Sequence, residues 1–456
     1  MDGVQEARRR VVVVGAGVAG AFAAYFLRQA LGPAAEIVVR ERQARPGGRV
    51  GEMELAGRRV ETGATLVHSS NRYLLEATAR LGLHPGDAGG ERRSLARRMG
   101  IWNGVSFDLL VRMAGLPLAL AMLRRYGASL LRARRLTRAA VARLLRLYDE
   151  LERGRGFSTP GEMYRELGLD GLARESAYDF LARHGVGERF VREFSDGVAR
   201  SNYGQDGRMN AWATLVSLTG GGLAGGRLFS VREGNLRVVE GLLSLSGARL
   251  QTNATVRAIR PRATPEGGRA GFAVASADGS EEACDAVILA APLELAELDF
   301  DGLALPGSAS LRRPYQTTHA TWVVGRLRGE RFGLAEQEAP PDVILTRERR
   351  EIPFSAIGAL AAAAGGRRIY KLFSREPLDE ALLDHLFADR VEAVRLTWNA
   401  YPVLSPAEVW PPFRLAPGLY YANAMESAVS TMETEAMAAR NVVNLLVQDL
   451  AGDGRG

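Results

Sequence analysis

The spacing of hydrophobic residues in the first forty positions predicts a strand, a tight turn, a helix and a second strand. Residues 11–14 are four consecutive valines, a pattern typical of a strand buried on both faces. Glycines follow at positions 15, 17 and 20, and the apolar run 21–27 continues as a helix. A second strand is predicted over 36–41, where an isoleucine and two valines lie between charged residues. This order of elements is typical of a βαβ unit.

The rest of the chain changes between helical and strand-like periods. Between 109 and 151 apolar residues recur at helical spacing with arginines between them, and more helix is expected to about 198, interrupted near Pro160. The glycine-rich segment 220–226 follows a helical stretch rather than a buried strand. It is therefore predicted to be a flexible loop beside the active site, and not a phosphate-binding loop. Strands are predicted over 250–259, 271–277, 287–290, 317–324 and 369–373, with a short helix near 379–387.

The glycines of the first turn suit a dinucleotide. Gly15 permits the turn, Gly17 allows backbone to approach a pyrophosphate, and Gly20 lets the helix pack closely on the strand. The helix N-terminus adds unpaired N–H groups and a partial positive charge. Glu41 lies 21 residues after Gly20 (41 − 20), where a carboxylate can accept hydrogen bonds from a ribose diol. The alternative is an ordinary strand–helix turn, but the complete order of strand, glycines, helix, strand and acid favours a dinucleotide.

The loop after the second strand supplies a candidate anion-binding cation. Arg49 follows Gly48, and the segment 61–64 comes next. A planar guanidinium can donate two hydrogen bonds to a pyrophosphate, which makes Arg49 a candidate for that contact. A solvated loop cation is the alternative.

Composition and charge narrow the function classes. A chain of 456 residues is expected to form two domains, and 46% hydrophobic with 24% charged residues is ordinary for a globular protein. The net charge of +7 comes almost wholly from arginine, because Lys371 is the single lysine. Basic residues cluster between 92 and 155, where they could contact acidic lipid of a membrane surface or an anionic substrate, or simply be solvated. No nucleic-acid-binding pattern is present, so nucleic acid is not an expected partner.

Cysteine and histidine usage argues against disulfides and metal. Cys284 is the only cysteine, which excludes an intramolecular disulfide and a redox-active cysteine pair. The five histidines lack metal-ligand spacing, so no metal is expected. The N-terminus shows no apolar leader, and the most apolar stretch, 109–123, is too short to span a bilayer. The expected location is the cytoplasm.

The N-terminal motifs resemble the flavin-binding opening of the amine-oxidase and glutathione-reductase-like flavoproteins. Residues 285–292 are similar to the strand that returns to the dinucleotide domain in those proteins, and residues 419–424 to the strand that completes the flavin site. The resemblance implies FAD as cofactor. The residues implied for FAD binding are Gly15, Gly17, Gly20, Glu41, Arg42, Gly48, Arg49, Gly63, Ala64, Val256, Ala291, Asn423 and Met432.

The fold class expected from this resemblance is α/β, with a Rossmann-type FAD-binding domain and a discontinuous, partly helical substrate domain. The FAD-binding domain is predicted to comprise residues 9–70, 229–295 and 395–450. The substrate-binding domain is predicted to comprise residues 71–228 and 296–394, and to be helical at 107–200. Neither domain is then continuous in sequence.

Segments spread over the chain resemble prenylcysteine oxidase. They are residues 61–70, 198–205, 210–218, 231–242, 317–321, 398–402, 421–433 and 438–441. The resemblance implies a lipophilic thioether substrate, oxidised at the carbon next to the sulfur of an S-alkyl cysteine. The implied products are an aldehyde and free cysteine, with O2 reduced to hydrogen peroxide. Ser427 stands where the family often has a cysteine, so non-covalent FAD is expected.

Four polar residues are candidates for handling water and the cysteine end of the substrate. They are His68, His319, Tyr203 and Gln205. His319 lies on a predicted strand between Thr317 and Thr321, so these three could share one face. Each of the four candidates could instead be a structural residue. The helical insertion, rich in leucine, is expected to line the apolar channel that such a substrate needs.

Two other functions stay open. A flavin amine oxidase or desaturase-like enzyme acting on another lipophilic substrate would share the fold. Amine oxidases usually place a lysine near the flavin, but Lys371 is predicted on a strand far from the motifs. A non-enzymatic chain whose helical insertion binds lipid or a partner is the third hypothesis. Intact glycines, Glu41 and Arg49 argue against loss of the cofactor.

Overall fold

The structure, a computed structural model, describes residues 9–87, 98–112, 115–263, 269–306 and 313–453. It is a mixed α/β fold, which confirms the predicted fold class. The strands, β1 to β21 in chain order, are Arg10–Val14, Glu36–Arg40, Glu52–Leu55, Arg58–Glu61, Val67–His68, Pro85–Asp87, Arg98–Trp102, Phe107–Arg112, Leu228–Val231, Arg249–Gln251, Val256–Ala263, Arg269–Ser276, Glu281–Cys284, Ala286–Leu289, Tyr315–Leu327, Val343–Thr346, Ala356–Ala362, Arg368–Ser374, Phe387–Pro402, Arg414–Ala416 and Leu419–Tyr421.

The helices within the same residues are named α1 to α14 in chain order. They are Val18–Leu31, Arg72–Arg80, Gly115–Tyr126, Ala128–Glu152, Pro160–Leu167, Asp170–Arg174, Ala177–Arg183, Glu188–Phe190, Asp196–Tyr203, Ala211–Gly220, Leu236–Ser246, Leu293–Ala296, Glu380–Leu386 and Met432–Asp453. A π-helical turn, Val191–Ser195, joins α8 to α9, and a 3-10 helix, Ala422–Ser427, precedes α14. Among the described helices, none has the length and apolar character needed to cross a bilayer.

A six-stranded sheet in the order β10-β2-β1-β14-β21-β20 forms the first layer. Strand β1 pairs in parallel with β2 and β14, and β14 pairs in parallel with β21. The valines of β1 are buried, since α1 and α14 pack on strands of this sheet, and α11 packs in turn on α1. Four distant parts of the sequence therefore meet in one sheet.

The first turn depends on two glycines. Gly15 has a φ of +106°, and a Cβ atom there would lie 2.7 Å from the carbonyl oxygen of Ala290, the residue that follows β14. A Cβ atom on Gly20 would lie only 1.9 Å from the carbonyl oxygen of Gly15. The start of α1 can therefore approach β1 only because neither position carries a side chain.

A seven-stranded sheet in the order β19-β15-β18-β17-β16-β7-β8 forms the second layer. The predicted strands over 317–324 and 369–373 correspond to β15 and β18, which pair antiparallel. The stretch predicted to be helical from 107 starts with strand β8, and this part of the prediction is wrong. Phe107, Leu109 and Val111 alternate in strand fashion and pair back onto β7, and the helices begin at 115.

Helices α3 to α10 make up the insertion between the two sheets. Helix α4 packs on α3, α10 and α14, so the insertion contacts both the seven-stranded layer and the last helix through its neighbours. Strand β19 lies whole in the seven-stranded sheet, paired with β15 from end to end. The predicted domain limit at 395 therefore falls inside a strand.

Candidate active site

One cavity of about 1620 Å³ lies between the two large sheets and helices α3 and α4. Pockets for a single small molecule usually enclose roughly 300–1,000 Å³. The cavity can therefore hold a dinucleotide together with a second molecule. One end is formed by the glycine turn and the polar C-terminal segment, and the other by leucines of the helical insertion.

The polar end begins at the first βα turn. Gly15, Gly17 and Gly48 line it, and a Cβ atom on Gly17 would lie 3.8 Å from the Cα atom of Gly48. Gly17 is the N-cap of α1 and caps it with no side chain, so the positive end of the helix dipole is presented to the cavity. Gly20 lies under the turn and outside the lining. The other lining residues among those predicted for the cofactor are Glu41, Arg42, Arg49, Gly63, Ala64, Val256, Ala291, Asn423 and Met432.

The Glu41 carboxylate holds the turn in shape. Its two oxygens accept hydrogen bonds from the backbone N–H groups of Ala16 and Gln43, each at 2.8 Å. A carboxylate has about four acceptor sites, so further donors such as a ribose diol can still bind. Arg42 lies beside it and donates to the carbonyl oxygen of Leu295 at 3.0 Å.

Arg49 binds a carboxylate of the protein itself. Its guanidinium forms an ion pair with Glu426 and donates to the carbonyl oxygen of Ala400 at 2.9 Å. Burial acts to lower the pKa of Arg49, but the Glu426 carboxylate raises it by more, so the guanidinium remains charged. Sequence reasoning had no signal for Glu426 as partner, and the pyrophosphate contact stays a prediction.

Two buried polar atoms near this pair have no hydrogen-bond partner within the described residues. They are Oδ1 of Asn423 and Oε1 of Glu435. The other atoms of the two side chains meet, since Nδ2 of Asn423 donates to Oε2 of Glu435 at 2.8 Å. Burial, and then the nearby Glu426 carboxylate, raise the pKa of Glu435 well above its usual range, which favours the protonated form that can donate a hydrogen bond. The cavity therefore offers one free acceptor and one free donor here.

Glu433 serves as a cap for a different helix. Its carboxylate accepts the backbone N–H groups of Tyr73 at 2.8 Å and Leu74 at 3.0 Å, in the first turn of α2. The hydroxyl of Tyr148 donates to the same carboxylate. Glu433 thereby ties the start of α14 to α2 and α4.

His68 lines the cavity but is fully engaged. Its Nε2 lies 2.7 Å from the carbonyl oxygen of Gly225, which can only accept, so Nε2 carries the hydrogen. Its Nδ1 lies 2.7 Å from the hydroxyl of Ser70. His68 thus anchors the glycine-rich loop that was predicted to lie beside the site, and residues 220–223 of this loop do line the cavity.

The other three catalytic candidates do not gather at one place. Tyr203 lines the cavity, and its hydroxyl donates to the carbonyl oxygen of Ser430 at 3.0 Å. Gln205 lies outside the lining and bridges Pro402 and Leu404, donating to the first carbonyl at 3.0 Å and accepting from the second N–H at 2.9 Å. His319 also lies outside the lining, with Nδ1 2.8 Å from the hydroxyl of Thr397.

Lys371 lies in the cavity wall, and its predicted position far from the motifs is wrong. Its amine is 3.4 Å from the carbonyl oxygen of Glu61 and 3.3 Å from that of Thr62, next to the predicted cofactor residue Gly63. The amine also lies 4.8 Å from the ring centroid of Trp322. Burial lowers the pKa of Lys371 to about 7. Its strand was recognised from the sequence, but the neighbours of that strand are set by long-range pairing.

The far end of the cavity is apolar. It is walled by side chains of α3, α4, α9 and the glycine-rich loop, among them Leu118, Met122, Leu130, Leu144, Leu145, Val198 and Leu223. Aromatic and aliphatic walls of this kind exclude water and favour a lipophilic ligand.

Metal sites and thiolate sites both place requirements on the described residues. Among the described residues, no group of three or more histidine, cysteine, aspartate or glutamate side chains could hold a metal ion. Cys284 is buried in β13, and burial raises the pKa of its thiol to about 12.

Comparison with known proteins gives a consistent result over the whole chain. The family model described as prenylcysteine lyase matches residues 117–455, and the one described as NAD(P)-binding Rossmann-like domain matches residues 13–81. Farnesylcysteine lyase of Arabidopsis thaliana is 31% identical over 453 residues, which are 96% of this chain and 88% of that protein. Prenylcysteine oxidase 1-like of Homo sapiens is 30% identical over 456 residues, which are 96% and 90%.

Solved structures share the fold at much lower identity. Putrescine oxidase bound to putrescine superimposes with a TM-score of 0.63 at 15% identity, covering 98% of this chain and 99% of that one. A likeness at this identity shows the fold alone.

The buried amine of Lys371 generates a pH-dependent stability prediction. Its folded pKa is about 7, whereas an unfolded lysine has a pKa of about 10.4. Between these values the unfolded state binds more protons, so the lysine destabilises the fold most at and below pH 7, and this effect disappears as the pH rises to about 10.4. We expect Lys371→Met to raise the Tm by roughly 2–6 °C more at pH 7 than at about pH 9.5. An equal Tm difference at both pH values in thermal unfolding would contradict the burial of this amine.

Proposed function

Since the chain belongs to the prenylcysteine lyase family, we propose that it is an FAD-dependent oxidase that cleaves the thioether of a prenylcysteine or a related S-substituted cysteine. The products are an aldehyde and free cysteine, with O2 reduced to hydrogen peroxide. The observation that supports this most directly is the cavity of about 1620 Å³, which joins a glycine cradle of dinucleotide type to an apolar wall of leucines.

The reaction balances with one water and one O2 per thioether. The carbon next to sulfur gives up two electrons and a proton as hydride equivalent, and oxygen from water takes its place on that carbon. The carbon–sulfur bond then breaks, the carbon becomes the aldehyde, and the sulfur leaves as the thiol of cysteine. The two electrons and two protons end on O2 as hydrogen peroxide.

The residues at the polar end fit a non-covalently held flavin. The cradle of Gly15, Gly17 and Gly48 with the N-terminus of α1 suits a pyrophosphate, and Glu41 suits a ribose. The unpartnered atoms of Asn423 and Glu435 offer an acceptor and a donor to a polar chain of hydroxyls. A flavin bound there supplies two-electron oxidation. The buried Ser427 cannot form the thioether link that a cysteine would allow.

The chain's own groups then bind, orient and move protons. The leucines of α3 and α4 hold the lipophilic group and exclude water from it. Burial raises the pKa of Tyr203, so its hydroxyl stays protonated and fixed on Ser430. With a pKa of about 7, Nζ of Lys371 can accept the proton that water releases when it adds to the oxidised carbon.

A second candidate function is oxidation of a lipophilic amine. The position of Lys371 in the cavity wall favours it, because this lysine does lie beside the segment 61–64. The family match and the 31% identity to farnesylcysteine lyase favour the thioether. Substrate tests separate the two.

The decisive experiment follows the visible spectrum of purified protein anaerobically while farnesylcysteine is added. We expect the flavin band to bleach, and then to recover with release of hydrogen peroxide and an aldehyde when air is admitted. A flavin band that ignores farnesylcysteine but bleaches with a lipophilic amine would favour the second candidate. Absence of any flavin band, even after FAD is supplied, would overturn the enzyme hypothesis.

Two glycine substitutions separate FAD binding by the cradle from its effect on the stability of the fold. Gly17→Ala places a methyl group 3.8 Å from the Cα atom of Gly48, a normal contact, so the fold should tolerate it while FAD affinity falls by about tenfold or more. Gly20→Ala places one 1.9 Å from the carbonyl oxygen of Gly15 and should cost roughly 2–4 kcal/mol of stability. Tm values without flavin and FAD titrations of both variants measure this. If Gly17→Ala binds FAD as tightly as the wild type does, the pyrophosphate does not bind at Gly17.

The apolar wall is tested by comparing substrates whose S-alkyl groups differ in length. Leu144→Ser removes apolar surface from the cavity, so kcat/KM for an S-farnesyl substrate should fall roughly tenfold, with a smaller loss for a short S-alkyl cysteine. The matched control is Leu245→Ser, on the exposed side of α11. Equal losses for long and short substrates would mean that the leucines do not hold the lipophilic group.

A further inference from the structure

The positive charge of the chain is concentrated in one segment. Residues 109–148 contain nine arginines and neither aspartate nor glutamate. Because the whole chain has a net charge of +7, all other residues together carry −2 (7 − 9). This basic segment is the end of β8, helix α3 and most of α4. Such an asymmetry of charge within one protein points to an anionic partner for this segment.

The same segment exposes large apolar side chains. Leu116, Leu120 and Leu123 lie four and three residues apart on one face of α3 and are 70%, 57% and 44% exposed. Leu131, near the start of α4, is 58% exposed. These four residues are named the leucine stripe here: three share one face of α3, and the fourth, on α4, lines the same cavity as Leu123. Exposed apolar patches rimmed by polar residues mark contact surfaces.

The arginines beside the stripe are free to bind. Arg124, Arg134 and Arg135 are exposed and form no ion pair with any residue of the described ranges. Arg125 differs, since its guanidinium pairs with Glu193. Free guanidinium groups around an apolar stripe are the composition of a helix that lies in a lipid interface.

The leucine stripe is continuous with the cavity. Leu123 and Leu131 line the cavity and are also exposed, and Leu118, Met122 and Leu130 extend the same wall inward. Apolar side chains of α3 and α4 are therefore exposed on the outside of the protein and also line the cavity, with Arg134 among the lining residues.

We propose that the leucine stripe and its flanking arginines dock on the surface of an anionic lipid bilayer, with α3 lying in the plane of the interface. The leucines enter the acyl boundary and the arginines contact lipid phosphates. A second copy of the chain fits less well because it would bring unpaired arginines of both copies together. Nucleic acid would match the charge but offers no apolar phase for the leucines.

Docking also suggests how the substrate reaches the cavity, and this consequence rests on the proposed function. A lipophilic thioether dissolved in a bilayer would enter the cavity through the leucine stripe without crossing water. The docking surface itself is independent of turnover, so the two hypotheses can fail separately.

The test is co-sedimentation of the full chain, without substrate, with vesicles. Vesicles of phosphatidylcholine alone are compared with vesicles that contain phosphatidylglycerol. We expect binding to the anionic vesicles only, weakening as salt is added. Leu116→Ser/Leu120→Ser and Arg124→Gln/Arg135→Gln should each weaken the partition by about tenfold or more. The matched controls Leu245→Ser/Leu250→Ser and Arg262→Gln/Arg331→Gln, also exposed, should bind like the wild type.

Thermal unfolding checks that every variant folds, and turnover of a short, water-soluble S-alkyl cysteine without vesicles follows the activity separately. Binding without turnover would leave docking intact and overturn the function. Turnover without binding would overturn docking. Docking is also overturned if the stripe variants bind as tightly as the controls, or if sedimentation velocity shows that they lose a dimer that the wild type forms.

Discussion

Three carboxyl groups are buried within ten residues of the C-terminal segment, and their need for hydrogen-bond donors determines which distant segments pack against it. Glu426, Glu433 and Glu435 are 1%, 3% and 6% exposed. Holding a bare charge out of water costs several kcal/mol, so each carboxylate needs donors or a proton. The donors come from far away in the sequence: Arg49 for Glu426, and the first turn of α2 for Glu433. These contacts lock the N-terminal loop and α2 onto the start of α14.

The same constraint shapes the polar end of the cavity. Arg49 pairs with one carboxylate, and burial favours the protonated form of Glu435, so both reduce the negative charge of the wall where an anionic dinucleotide would approach. The N-terminus of α1 adds the positive end of its helix dipole at the glycine turn, and Arg42 and Arg45 also line the cavity. An arginine already paired with a carboxylate can still share its remaining N–H groups with a phosphate, because a guanidinium has five donors. Arg49 thus anchors the C-terminal segment through Glu426, while the N-terminus of α1 attracts the anion.

Local chemistry was predictable from the sequence, and long-range pairing was not. The valines of β1, the glycine turn and Glu41 carry their signal within about thirty residues, and the structure places them together. The partners of Arg49, Gln205 and Lys371 come from sheet order and loop packing, for which no local pattern exists. Residues 107–112 are different, because the alternation of Phe107, Leu109 and Val111 after the turn at Gly104 was a usable strand signal. Counting helical spacing from Leu109 onward obscured it.

Helix α4 has three different faces: one packs in the core, one lines the cavity and one is exposed to solvent. Ala133, Thr137 and Ala140 are buried and small, which lets α4 pack closely on α10. Leucines on a second face line the cavity, and arginines on a third face stay in water. Residues of α4 and α10 both line the cavity, so the distance between these two helices affects the width of the apolar channel. A larger residue at 133 or 140 would move the cavity wall without touching the cavity, so the volume available to a lipophilic group is set partly by core packing behind it.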